Sequence, residues 1–245
     1  MLRLIYDLRV IRSLPIRAAV FDGDDTLWRT ELLYDRARAA ARKIVERQGV
    51  DPVQWEARQR IIDVENVSVY GFSPSRFPAS CLQAFREVSS DVKYERDEEA
   101  ERRIVHAAQS VFRNNPKRIP YATSVLRTLK KRSVRLGLLT KGDPSIQSDR
   151  IERSGLAPFF ESIEIVPDKT PKVIRGMLKR LGALPSNAWM IGNSLRSDIV
   201  PALRVGVKGI WIDAPVWEYE KKSIQTPEAL VVKARDIREV LEVIA

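Results

Sequence analysis

The sequence is poor in the residues that form disulfides and histidine sites. Its 245 residues include one cysteine, Cys81, and one histidine, His106. A single cysteine cannot form an internal disulfide and is typical of a reducing compartment. His106 lies off an apolar helical stripe, so we expect an exposed, inert side chain. Zinc sites and catalytic triads that need further histidines are therefore excluded.

Long apolar runs are also missing. No stretch is long enough to cross a bilayer. The first 15 residues are interrupted by Arg3, Asp7, Arg9 and Arg12, so they do not resemble a secretory signal. We therefore expect a cytoplasmic protein without a membrane partner. With 44% apolar and 30% charged residues, the chain is an ordinary globular one, long enough for a core domain and a smaller inserted domain.

Positive charge is in excess. The formal net charge is +10, and the pI is about 9.9. Such a field attracts nucleic acid, acidic membrane surfaces or small anions such as phosphates. The basic residues are scattered along the chain, which favours a solvated basic surface, and we do not expect nucleic acid as a partner. Nothing in the sequence indicates an oligomeric state.

Short apolar runs alternate with helical patterns over most of the chain. Strands are predicted at 18–21, 136–139, 163–166, 189–191 and 210–212. Helices are predicted at 121–131, 146–154, 171–181, 198–205 and 236–244. This alternation predicts an α/β fold, a Rossmann-like doubly wound parallel sheet in a three-layer α/β/α arrangement. Ligands bind beyond the carboxyl ends of the strands in such sheets.

One long segment breaks the alternation. Residues 29–119 are mostly helical and too long for a simple loop, so they predict an inserted helical cap domain. The core is then formed by residues 1–28 and 120–245. Three arginines in the first helix of the insertion, Arg36, Arg38 and Arg42, could meet an anionic substrate, but solvated positions are the simpler expectation.

An acidic cluster directly follows the first predicted strand. Residues 22–26 read Asp-Gly-Asp-Asp-Thr. Three neighbouring carboxylates are costly unless a cation neutralises them, and magnesium suits both oxygen ligands and phosphate. Asp22 and Asp24 are two positions apart, so a loop could aim both into one pocket. A plain turn is the alternative, since Asp and Gly are common turn residues.

Two further polar clusters also stand at strand ends. Thr140 and Lys141 follow the second strand, where a hydroxyl and backbone N–H groups could hold phosphoryl oxygens, or could merely form a turn. Lys169 and Lys172 stand where a helix begins. A lysine is unfavourable at that pole of the helix dipole unless it anchors a phosphate, and a solvated lysine pair is the alternative.

The last polar cluster, residues 192–198, follows the fourth strand. Ser197 or Asp198 can cap the next helix, and Asp198 could equally be a metal ligand. Each cluster other than the acidic one is a weak signal alone. All four follow different strands of one parallel sheet, so they can converge at one edge.

Taken in order, these clusters resemble the four motifs of the haloacid dehalogenase-like hydrolase superfamily. The resemblance covers about residues 16–28 and 120–213, and the helical insertion stands where the family places its cap. The motif matches are Asp-x-Asp-x-Thr at 22–26, the strand-ending Thr140, the lysine Lys169 with Lys172 as the fallback, and Gly192-Asn193 with Asp198.

The resemblance implies a phosphatase mechanism. Asp22 would be the nucleophile and would form an aspartyl-phosphate. Asp24 would protonate the leaving oxygen and then deprotonate water. Mg²⁺ would be held by Asp22, Asp198 and the backbone carbonyl of Asp24. The implied substrate is a small phosphorylated metabolite.

The remaining implied contacts involve the substrate. Thr140 and Lys169 would hold phosphoryl oxygens and so take part in catalysis, and Lys141 and Asn193 would help to bind the substrate. Asn193 stands where the family more often has an acid, and an amide adds no negative charge, so metal affinity could be lower.

Other functions stay open at this stage. Dehalogenases of the family typically lack the second aspartate, because a halide leaving group needs no proton, so Asp24 favours phosphate esters. Phosphomutase, dehalogenase and phosphonatase activities are the alternatives among enzymes. The basic pI and Asn193 also allow a non-catalytic protein that binds phosphate or nucleic acid.

Overall fold

A parallel sheet organises the chain. The structure, a computed structural model, describes residues 17–90, 97–221 and 230–244. The strands in these residues are β1 Ala18–Phe21, β2 Trp28–Arg29, β3 Lys117–Arg118, β4 Arg135–Lys141, β5 Ser162–Val166, β6 Ala188–Gly192, β7 Lys208–Ile212 and β8 Val231–Ala234. Six of them form a sheet in the order β5-β4-β1-β6-β7-β8, and every neighbouring pair in it is parallel. The predicted doubly wound α/β fold is confirmed.

Helices cover both faces of this sheet and build the insertion. The α-helices are α1 Glu31–Arg47, α2 Pro52–Glu65, α3 Val67–Tyr70, α4 Arg76–Ser90, α5 Glu98–Arg113, α6 Ala122–Lys131, α7 Pro144–Ser154, α8 Pro171–Arg180, α9 Val200–Leu203 and α10 Val240–Val243. A single π-helical turn, Leu195–Ile199, precedes α9. Short 3-10 helices lie at Ala157–Phe159, Pro185–Asn187, Glu218–Glu220 and Ile237–Glu239.

The position of β1 explains where the polar clusters meet. Side chains of a strand alternate between faces, so Phe21 packs into one apolar layer and Val20 into the other. β1 lies between β4 and β6, and Phe21 is in register with Leu138 and Ile191. The chain after Phe21 therefore emerges at the centre of the carboxyl edge, between the ends of two other strands.

The helical segment from α1 to α5 has an apolar core of its own. Buried aromatic residues such as Trp55, Phe77 and Phe85 fill it, and the Trp55 Nε1–H donates to the Cys81 carbonyl at 3.1 Å. The chain enters and leaves this segment through β2 and β3, which pair with each other antiparallel. The domain boundaries at residues 28 and 119 stay a prediction.

Several predicted elements differ in the structure. Strand β8 was not predicted, because it is a short, largely exposed edge strand. Within the insertion, which was predicted as mostly helical, helix α4 has no separate signal, because Pro78 in its first turn is also typical of a helix break. The predicted helix 198–205 begins earlier in the structure, at Leu195, the first residue of the π-helical turn. Its N-cap is Ser194, whose Oγ accepts from the Ser197 N–H at 2.9 Å, so the caps predicted at 197 and 198 are wrong. The predicted helix 236–244 is a 3-10 turn followed by one α turn.

Within residues 17–90, 97–221 and 230–244, no helix is both long enough and apolar enough to span a bilayer. The predicted absence of a secretory signal concerns residues 1–15, which lie outside the described part of the chain.

Candidate active site

The acidic cluster forms a tight loop at the end of β1. The Asp22 N–H donates to the Ile191 carbonyl at 2.8 Å, and the Leu27 N–H donates to the Gly23 carbonyl at 2.8 Å. A Cβ on Gly23 would overlap the Trp28 ring, so only glycine lets the loop close this tightly. These bonds fix the position of the buried Asp22 carboxylate.

Three charged side chains from separate segments meet beside this loop. The Lys169 Nζ bonds to Asp22 Oδ1, and it lies 2.6 Å from Asp198 Oδ1. Lys169 is 2% exposed and Asp198 is 1% exposed. Burial raises the pKa of Asp22 to about 7, although Lys169 acts in the opposite direction. Burial opposes the charge on Lys169, but the two carboxylates raise its pKa well above the ordinary value.

Thr140 supplies an unpaired hydroxyl beside these charges. It lies near the end of β4, next to the acidic loop, and its buried Oγ1 has no hydrogen-bond partner among the residues the structure describes. A buried hydroxyl without a partner is costly, and this one is available to donate to an oxygen of a bound ligand. Lys172, the fallback for Lys169 in the sequence, is exposed.

The Asp24 carboxylate is held by donors from four other side chains. Trp28 Nε1, Thr30 Oγ1, Gln147 Nε2 and Arg150 Nη1 lie 2.6, 2.7, 2.8 and 3.1 Å from its carboxylate oxygens. Burial alone would raise the pKa of Asp24, but Arg150 and the hydrogen bonds lower it overall. The carboxylate is therefore ionised and oriented in this structure.

Gln147 and Arg150 were missed from the sequence. They stand three positions apart on α7, so they share one helix face, and that face meets Asp24. The available signal was a pair of polar side chains in the first turns of the helix that follows Thr140, at the carboxyl edge of the sheet.

Lys141 and Asn193 also lie at this edge, and both are already bonded within the protein. Lys141 Nζ pairs with Glu220 and donates to Ser197 Oγ at 2.6 Å. Asn193 Nδ2 donates to the Pro215 carbonyl at 2.8 Å. Glu220 had no signal in the sequence, because it lies beyond the last predicted strand in a segment without periodicity.

The oxygen atoms at this site suit a hard divalent cation that takes few of its ligands from side chains. Within the described part of the chain, no group of three or more His, Cys, Asp or Glu side chains is arranged for a metal. Asp22 and Asp198 nevertheless direct two buried carboxylates to the same ammonium group, and carboxylates are ligands that Mg²⁺ prefers. Because the Asp24 carboxylate faces Arg150, a ligand from Asp24 would have to be its backbone carbonyl.

A cavity of about 150 Å³ opens over these residues. Asp22, Thr140 and Lys169 line its floor, and residues of the helical insertion line its other side. Arg38 is one of them, and it is buried and paired with Glu31 at 2.6 Å, so the expectation of a solvated side chain is wrong. The cavity is small beside the roughly 300–1,000 Å³ of drug-sized sites, which favours a compact ligand.

Gly192 gives a test of how closely Asp198 must approach the sheet. A Cβ there would overlap the Asp198 carboxylate. We expect Gly192→Ala to lower the free energy of unfolding by about 1–3 kcal/mol, as overpacking does, and to reduce activity by moving Asp198. Urea denaturation measures the first effect. Gly176→Ala is the control, because its nearest neighbour is the end of the flexible Arg180 side chain at 3.6 Å. Equal stability of the two variants would contradict the expectation.

Comparison with known proteins places this chain in a family. The sequence pattern that defines the haloacid dehalogenase-like hydrolases matches residues 16–206. A glyceraldehyde 3-phosphate phosphatase of Pyrococcus furiosus is 31% identical over 205 residues, which cover 80% of each chain. A protein of the same name from Methanothermobacter thermautotrophicus is 26% identical over 239 residues, covering 94% of this chain and all of the relative.

A solved structure is similar over nearly the whole chain. It is a haloacid dehalogenase-like family hydrolase from Xanthomonas campestris, with a TM-score of 0.74 and 25% identity, and the similarity covers 94% of this chain and 96% of the other. The acidic loop at 22–26 and the lysine at 169 both lie inside the segment that the family pattern matches.

Proposed function

Because the chain belongs to the haloacid dehalogenase-like hydrolases and is a phosphatase of that family, we propose that it hydrolyses triose phosphates such as glyceraldehyde 3-phosphate. The relatives that bear that name support this substrate. The small cavity supports it too, since a compact three-carbon ester suits a space of about 150 Å³. The observation that carries the proposal is the meeting of Asp22, Lys169 and the unpaired Thr140 hydroxyl at one sheet edge.

The residues have distinct roles in the proposed reaction. A carboxylate oxygen of Asp22 attacks phosphorus, and the bond from phosphorus to the ester oxygen breaks. Asp24, once protonated, gives its proton to that leaving oxygen, and it later takes a proton from the water that releases phosphate. Lys169 and Thr140 hold phosphoryl oxygens, and their burial excludes competing water.

We further propose a magnesium requirement. Asp22, Asp198 and the Asp24 carbonyl would hold the ion. Bound Mg²⁺ would neutralise charge on the phosphoryl group. The resting ionisation of Asp24 also follows from its contacts: Arg150 must release this carboxylate, or share it, before Asp24 can donate a proton. Lys141 and Asn193 are proposed to line the substrate position, where Glu220 holds the Lys141 ammonium. With its single cysteine, the enzyme is proposed to work in the cytoplasm.

A substrate screen with and without metal tests the function. We expect phosphate release from glyceraldehyde 3-phosphate with the highest kcat/KM among a panel of metabolite phosphates. Chelation by EDTA should lower the rate by at least about 100-fold, because charge neutralisation at the phosphoryl group is lost, and added Mg²⁺ should restore it. Full activity in EDTA would contradict the metal requirement, and a distinctly better sugar or nucleotide substrate would contradict the proposed substrate.

A further inference from the structure

Every cation among the described residues that line the cavity is already paired with a carboxylate. Carboxylates outnumber cations among the lining residues. The lining cations are Arg38, Arg76, Lys141, Arg150 and Lys169, and the lining carboxylates are Asp22, Asp24, Asp25, Glu31, Asp63, Asp143, Asp198 and Glu220. Within the described residues, each of these cations already has at least one carboxylate partner. A ligand entering this cavity therefore meets no cation that lacks a counter-charge.

A second buried ion pair at the same sheet edge joins Lys141 and Glu220. Lys141 directly follows Thr140, and its ammonium bonds to Glu220 and lies 2.6 Å from Ser197 Oγ. Glu220 accepts two further hydrogen bonds, from Ser194 Oγ at 2.6 Å and from Ser197 Oγ at 2.5 Å. The side chains of Lys141 and Glu220 are only 11% and 12% exposed. A pair this desolvated does not exchange partners freely with solvent ions.

Aromatic contacts hold Glu220 in place from the other side. Tyr219 stacks on Trp217 with ring centroids 5.1 Å apart. Arg76, on helix α4 of the insertion, lies over the Trp217 ring at 4.2 Å. Phe72, also in the insertion, packs edge-on against Tyr219 at 5.7 Å. The segment that carries Glu220 is therefore clamped between the sheet edge and the helices, and it forms a wall of the cavity.

We infer that Glu220 makes this site selective for phosphate monoesters whose other end is uncharged. Glu220 occupies Lys141, and no other lining cation in the described part of the chain is left to receive a second anionic group. The inference rests on the proposed function and deepens it: hydroxy-aldehyde and polyol phosphates fit, and phosphorylated carboxylic acids do not. Burying a carboxylate without a partner, beside other carboxylates, is strongly disfavoured.

Matched substrate pairs test the inference. Glyceraldehyde 3-phosphate and 3-phosphoglycerate share a carbon skeleton and a phosphate position and differ by an aldehyde against a carboxylate. Glycolaldehyde phosphate and 2-phosphoglycolate form a second such pair. We expect the wild-type enzyme to prefer the neutral member by about 100-fold in kcat/KM in both pairs. Comparable kcat/KM values for the two members of each pair would overturn the inference.

Substitution of Glu220 should weaken this preference. In Glu220→Gln the Lys141 ammonium is free to receive the substrate carboxylate, so the preference should fall by about tenfold or more. Glu218→Gln is the matched control, because it makes the same change on the same 3-10 helix at an exposed side chain that does not line the cavity. The Glu218→Gln protein should prefer neutral substrates as strongly as the wild type does. An unchanged preference in a folded Glu220→Gln protein would sink the inference.

A double variant tests the same inference in case Glu220→Gln alone fails to fold. Lys141→Met combined with Glu220→Gln removes both charges, and apolar replacement of a buried pair is often tolerated. Without a free ammonium, this variant should regain the preference for neutral substrates, and a preference as weak as that of Glu220→Gln would contradict the role of Lys141. If wild-type enzyme releases phosphate from none of the four esters but acts on others, the proposed substrate fails. If it hydrolyses acids and neutral esters alike, only the selectivity fails.

Discussion

Replacing Asp22 with asparagine is expected to lower kcat by about 10⁴-fold or more, because removal of a nucleophile stops a covalent mechanism and leaves only the contribution of binding. The fold should survive. Lys169 keeps Asp198 as a partner, and in Asp22→Asn the amide oxygen can accept from Lys169 while the amide NH2 donates to Thr26 Oγ1. Steady-state phosphate release with glyceraldehyde 3-phosphate measures the effect.

A second measurement distinguishes loss of the nucleophile from loss of structure in Asp22→Asn. Acid quenching during turnover, followed by mass spectrometry, should find a phosphorylated peptide that contains Asp22 in the wild type and none in the variant. Asp143→Asn is the matched control. Asp143 lines the same cavity but caps helix α7, a role that asparagine also fills. Activity of Asp22→Asn within about tenfold of Asp143→Asn would refute covalent catalysis by Asp22.

Replacing Lys169 with methionine should have the second largest effect, on both activity and stability. Methionine keeps most of the length of the side chain but leaves the buried carboxylates of Asp22 and Asp198 facing each other without a cation. Breaking a buried ion pair typically costs about 3–5 kcal/mol. For a chain of this size, that corresponds to a fall in Tm of roughly 6–20 °C. Calorimetry in EDTA measures the loss.

Magnesium should restore part of that stability. A divalent ion between the two carboxylates would replace the missing charge, so Mg²⁺ should raise the Tm of Lys169→Met by more than it raises that of the wild type. Activity should stay low even with Mg²⁺, since no ammonium then contacts the phosphoryl oxygens. Lys172→Met is the control, because Lys172 is exposed on the first turn of α8. A larger loss in that control would mean that the wrong lysine has been assigned.

The sheet and the place of the site could be predicted from the sequence. Each predicted strand has strong β character and ends at a polar cluster, and parallel strands bring those ends to one edge. Asp22, Thr140 and Lys169 therefore met as expected. The element missed in the sheet is β8, whose exposed edge position gives no clear alternation to read.

The surroundings of Asp24 and Lys141 could not be predicted in the same way. Arg150 reaches Asp24 because of the direction of its side chain, and Glu220 reaches Lys141 from a segment without helical or strand periodicity. The spacing of residues along the chain encodes neither property. Arg38 illustrates the same limit. It looked like a solvated helix position, yet the packing of the insertion over the sheet buried it beside Glu31. Pairings made by tertiary packing are set by the whole fold.

The antiparallel pairing of β2 with β3 has a consequence for how much the protein can vary. Trp28 and Arg118 are directly opposite each other, although a whole helical layer lies between them in the chain. The chain therefore leaves the core and returns to it at neighbouring positions, through β2 and β3. The spacing of the six parallel strands is thus independent of the length of the excursion, and shorter, longer or unrelated helical modules could be exchanged at these two positions without disturbing the sheet beneath.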